Sequence, residues 1–177
     1  MALVCPFPIV QVVGFQNSGK TTFIERILEK ASEQGLNLGC LKHHGHGGEP
    51  QTFTEGKDTD RYQAAGADVT AVEGAGVLQL TARRNWDLPR LIELYQFLET
   101  DCLLIEGFKK APYPKIVILS EKEDLEALQT VNTIAIIYRK KEHMTEQQEL
   151  PVFHADDPVA VDFVLSQLKG ESHNGTV

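Results

Sequence analysis

A chain of 177 residues, 42% of them hydrophobic, has the size and core content of one α/β domain. Its net charge of −8 excludes a general nucleic-acid surface, which needs a basic face, yet leaves room for a nucleotide held locally. Three widely spaced cysteines, Cys5, Cys40 and Cys102, form no CxxC pair and read as small buried residues of a cytoplasmic protein. No apolar run reaches the ~18 residues of a membrane span, and the start lacks the basic n-region of a signal peptide.

Ile9 to Val13 reads as a buried strand. Gly14-Phe15-Gln16-Asn17-Ser18-Gly19-Lys20-Thr21 follows and fits G-x-x-x-x-G-K-[ST], the P-loop. Behind it, Phe23, Ile24, Ile27, Leu28 and Ala31 make the apolar stripe of an amphipathic helix. Strand, glycine loop and helix are the context the motif needs. Gly14 and Gly19 are expected to allow backbone conformations that bring N–H groups close to phosphate oxygens. The helix N-terminus adds partial positive charge. Lys20 is expected to reach the β- and γ-phosphates, with the Thr21 hydroxyl on Mg²⁺.

Leu36 to Lys42 reads as a second strand, with Gly35 stopping the helix before it. His43 to Gly56 is then a long polar segment rich in His and Gly. His43, His44 and His46 have no fourth ligand at metal-site spacing, so a loop facing phosphate or substrate competes with a metal site and with a solvated loop. Asp58 to Ala65 reads as a short helix. Asp58 is its cap or a metal ligand, and Arg61 meets a phosphate or pairs with a carboxylate. Asp68 to Glu73 and Gly76 to Thr81 read as a hairpin, and Asp87 as the cap of a helix over Leu88 to Leu98.

Cys102 to Ile105 is a continuous apolar run of the kind found in buried parallel strands. It ends in Glu106-Gly107, and Glu106 is the expected acidic group for Mg²⁺. Lys115 to Leu119, Thr133 to Tyr138 and Val152-Phe153 read as further strands, with a short helix around Leu125 and Leu128. Asp157-Pro158 opens a last helix through Leu168. The expected fold is α/β, a three-layer P-loop NTPase with a mostly parallel central sheet flanked by helices, plus a hairpin. Residues 1–170 are expected to form one nucleotide-binding domain and 171–177 a flexible tail. The guanine-reading N/T-K-x-D segment of many P-loop GTPases is absent. Tyr138-Arg139-Lys140-Lys141-Glu142 stands in a comparable place without matching it.

Gly14 to Thr21, Lys42-His43 with His46, Gly56-Lys57-Asp58 with Arg61, Ala65 to Asp68, and Leu104-Ile105-Glu106-Gly107-Phe108 occur in this order. Together they resemble the molybdopterin-guanine dinucleotide biosynthesis protein B family, from about Val10 to Leu119. The resemblance implies a small dimeric GTP-binding protein with weak GTPase activity. It would be accessory to the guanylyltransferase that joins GMP to molybdopterin. It implies that Gly14, Gly19, Lys20, Thr21 and Thr22 hold phosphates and Mg²⁺, with Asp58 and Glu106 near the metal; Asn17 and Ser18 of the loop, with His43, His46 and Arg61, are further candidates for ligand contact. Two other readings use the same P-loop. A small-molecule kinase wants an arginine-rich lid, and a metallochaperone NTPase would use the histidine loop. No residue in the sequence identifies itself as the activator of an attacking water.

Overall fold

The computed structural model describes residues 6–45, 58–120, 132–140 and 150–170. Cys5, His46, the helix expected around Leu125 and Leu128, and the tail 171–177 lie outside the described residues. The described residues fall into two units. One runs through Gly45 and resumes at Leu94; the other is the stretch between, ending at Glu93.

The first unit is built on strands β1 (Ile9–Gly14), β2 (Leu38–Lys42), β5 (Cys102–Glu106), β6 (Lys115–Leu119), β7 (Thr133–Tyr138) and β8 (Val152–His154). They form one sheet in the order β2-β5-β1-β6-β7-β8, with every pairing parallel. The apolar runs of β1, β5 and β6 are buried, as strands covered on both faces must be. β1 is central, with Val10 opposite Leu104 and Val12 opposite Ile116.

Helices α1 (Lys20–Glu33) and α4 (Pro158–Leu168) cover one face of this sheet. The α1 stripe of Phe23, Ile24, Ile27 and Ala31 meets Val10, Val12, Leu104, Ile116 and Ile118. Ile27 is wholly buried, which is worth about 1.5–3 kcal/mol for a side chain of its class. α4 starts as the sequence predicts: Asp157 Oδ1 accepts from the Val159 N–H at 2.9 Å, with Pro158 at the first position. On the opposite face of the sheet, Val13, Val117, Leu119, Ile136 and Tyr138 form a second apolar cluster.

The second unit holds α2 (Asp58–Ala64) and an antiparallel hairpin of β3 (Val69–Gly74) and β4 (Val77–Ala82). It also contains the start of α3 (Leu88–Phe97), whose cap Asp87 accepts from the Arg90 N–H at 3.0 Å. Ala75 and Gly76 both take positive φ, the twist that a two-residue hairpin turn demands. Val69, Leu78 and Leu80 share one face of the hairpin and are exposed.

One expectation fails within the described strands. Cys102 is buried, but Cys40 is exposed, because β2 is an edge strand of the sheet. Among the described residues no helix is long and apolar enough to cross a membrane.

Candidate functional site

The loop between β1 and α1 lies where the sequence places it, at the carboxyl end of the central strand. Gly14 and Gly19 serve it in different ways. Gly19 has φ of +93°, a left-handed conformation that favours glycine. Gly14 has no such φ; it is needed for space, since a Cβ there would stand 2.6 Å from both Ile118 O and Ser18 Oγ. The sequence reading gave Gly14 a conformational role, and close approach is the role it has. Asn17 also takes a left-handed φ, which asparagine tolerates better than most residues.

Gly19 occupies the cap position of α1, and no side chain caps that helix start. The first-turn N–H groups of a helix need an outside partner. Lys20 Nζ folds back over the loop to Phe15 O at 2.5 Å and Ser18 Oγ at 3.4 Å. Burial pushes the Lys20 ammonium below the ordinary lysine value; Glu106 opposes the shift, and the charges of Lys109 and Lys42 add to it. Ser18 is buried beneath the loop, whereas Thr21 and Thr22 are exposed on its helix side.

The register of β2 on β5 sets Lys42 opposite Glu106. Lys42 Nζ meets Glu106 Oε2 at 3.2 Å. The His43 N–H donates to Glu106 O at 2.9 Å, and the His43 ring lies 4.2 Å from the Phe108 ring, centroid to centroid. Glu106 and His43, assigned separately in the sequence, are therefore brought together. Gly107 at φ +96° and Phe108 at φ +50° turn the chain after β5. Gln11, wholly buried in the middle of β1, clasps that turn: its Nε2 donates to Gly107 O at 2.8 Å and Phe108 O at 2.9 Å. Beyond the turn, Lys109 Nζ sits 4.7 Å from the centre of the Phe15 ring.

Asp58 and Arg61 lie in the second unit, exposed, with Arg61 Nη1 3.4 Å from Asp58 Oδ1. Arg61 thus takes the carboxylate pairing that the sequence left open. Among the described residues no group of three or more His, Cys, Asp or Glu is arranged to hold a metal ion. His43 belongs to the Glu106 turn, and His46 is outside the described residues.

Sequence reasoning missed Gln11, Lys42 and Lys109 as parts of this site. Gln11 had a visible signal, a lone amide in an otherwise apolar strand. Lys42 appeared in the sequence only as part of the Lys42-His43 segment, with no sign of its partner, and Lys109 had no signal, since their places depend on strand register and on the turn after β5.

An uncapped helix start, a partly desolvated ammonium, a lysine paired with one carboxylate and a further lysine over Phe15 make a site suited to a polyanion with a cation. Similar proteins agree on the family. The model of the family described as molybdopterin guanine dinucleotide synthesis protein B matches residues 9–162. A Bacillus subtilis (strain 168) protein named a probable molybdopterin-guanine dinucleotide biosynthesis adapter protein is 94% identical over 172 residues, covering 97% of this chain and 99% of its own. The crystal structure of Bacillus subtilis MobB superposes with a TM-score of 0.87 at 94% identity, covering 93% of this chain and all of that one. A MobB homologue from Bacillus stearothermophilus superposes at 0.73 with 32% identity, covering 92% and 98%. The chain belongs to the molybdopterin guanine dinucleotide synthesis protein B family.

Proposed function

We propose that this protein binds GTP with Mg²⁺ at the Gly14–Thr21 loop and assists the guanylyltransferase that attaches GMP to molybdopterin. It acts as an accessory factor, and alone it hydrolyses GTP slowly. The observation that carries the reading is the uncapped start of α1 with the partly buried Lys20 ammonium, beside the Lys42–Glu106 pair. These residues fit a metal-bound triphosphate. Main-chain N–H groups of the loop and Lys20 hold phosphate oxygens, while Thr21 and Glu106 are the oxygen donors for Mg²⁺. The bound cation supplies charge neutralisation of the phosphates.

Roles for Asn17, Ser18, Thr22, His43, His46 and Arg61 at the ligand, and for Asp58 at the metal, rest on the sequence reading alone. The adapter role rests on the description of the Bacillus subtilis relative. A cytoplasmic homodimer completes the proposal, and the exposed Val69, Leu78 and Leu80 face of the hairpin supports it as a surface for a second copy.

Calorimetry with GTP and ATP, each with and without Mg²⁺, tests the reading. GTP with Mg²⁺ is expected to bind best. Lys20→Ala is expected to weaken it about tenfold to a hundredfold, the value of one charge-assisted contact. Equal binding by the wild type and the variant would remove the loop from the mechanism.

A further inference from the structure

Arg139 is not used by the phosphate site described above, yet it is built into the same loop. It follows β7 at the carboxyl end of the sheet, and its backbone is fixed on both sides. Its N–H donates to Leu119 O at 3.2 Å, and its carbonyl oxygen lies 2.8 Å from His154 Nε2. The side chain then runs back to the loop. A Cβ placed on Gly19 would stand 3.0 Å from Arg139 Cδ and 3.3 Å from Nε, so the arginine stem covers that glycine. At the tip, Nη1 donates to Asn17 O at 3.2 Å. An exposed arginine is ordinarily free to swing; this one is held at its base, along its stem and at its tip.

Strand order gives the guanidinium its meaning. β5 and β2, with Glu106, Lys42 and His43, lie on one side of β1. β6, β7 and β8, with Arg139, lie on the other. A nucleotide whose terminal phosphates and metal turn toward Glu106 carries its nucleoside toward Arg139. We propose that Arg139 is a nucleoside-binding residue, its guanidinium plane forming a platform on which the base of the bound nucleotide stacks. A planar, delocalised and weakly hydrated cation suits the face of a π system better than an ammonium does. This inference rests on the triphosphate reading of the loop.

The test compares GTP with inorganic tripolyphosphate, which has the phosphates and no nucleoside, on the full chain with Mg²⁺. R139K keeps an aliphatic stem over Gly19 and a donor for Asn17 O but loses the plane. It is expected to weaken GTP binding about tenfold while leaving tripolyphosphate affinity within about twofold. R139A is expected to weaken GTP at least as much. Parallel losses for both ligands in R139K would make Arg139 a phosphate or loop-supporting residue and overturn the proposal. So would GTP affinity unchanged in R139K. Wild-type protein that binds neither ligand would overturn the triphosphate reading itself. Wild-type protein that binds both equally would leave that reading standing and refute the nucleoside platform alone.

Discussion

Replacing Gln11 with leucine separates the stability of the sheet from the geometry of the site. The amide makes two hydrogen bonds to the turn after β5, at Gly107 O and Phe108 O. Together they are worth about 2 kcal/mol net. Two terms oppose that loss in Gln11→Leu. Gln11 Oε1 is buried without a hydrogen-bond partner among the described residues, a cost of about 1–3 kcal/mol that leucine removes. Phe108 sits at φ +50°, a conformation costing roughly 1–2 kcal/mol, and an unclasped turn can relax it. The sum runs from about zero to about 3 kcal/mol in favour of the variant, so the urea midpoint should not fall. Relaxation of the turn moves Glu106 and Lys109, so Mg²⁺-dependent GTP affinity should fall by about tenfold or more. Calorimetry and urea denaturation on the same preparation decide the matter. A loss above about 3 kcal/mol would show that the amide is chiefly a core clasp, and full retention of GTP affinity would show that the turn does not need it.

Two further outcomes follow from the charges around Lys20. Glu106→Gln is expected to lower GTP affinity measured with Mg²⁺ more than affinity measured in EDTA, where no cation offsets the repulsion between the carboxylate and phosphate; equal losses in both conditions would make Glu106 structural. Lys42, largely exposed, loses its partner in that variant at a cost of no more than about 1 kcal/mol. The charged form of Lys20 attracts phosphate and is lost as pH rises through its pKa. Burial sets that pKa below the ordinary 10.5, so GTP affinity should decline at a pH below 10.5. Affinity that stays flat through that value, or a decline unchanged in Lys20→Ala, would exclude Lys20 as its source.

The readable part of this protein was its local chemistry. The P-loop, the Asp157-Pro158 helix start and the Cys102 to Glu106 strand each declare themselves within a few consecutive residues. Relations across the sheet did not. Lys42 opposite Glu106 depends on the register of two strands about 60 residues apart. Gln11 showed as a polar interruption in β1, but its partners Gly107 and Phe108 are set by folding alone. Arg139 was noticed only as a failure to match a guanine-reading motif, and its packing on Gly19 is invisible in one dimension. Cys40 was misread because an apolar run does not reveal that its strand lies at the edge.

The central place of β1 has a consequence during synthesis. The strand that carries the P-loop is among the first segments made, yet both its neighbours come late: Ile9 pairs with Leu103, and Val12 with Ile116. At about 5–20 residues per second, the roughly hundred residues between them take about 5–20 s to translate. Throughout that interval α1 can form locally, but an apolar strand with two open edges has nothing of its own chain to pair with. The nascent protein is then exposed to strand-edge association, and a folded loop between β1 and α1 must wait for β5 and β6.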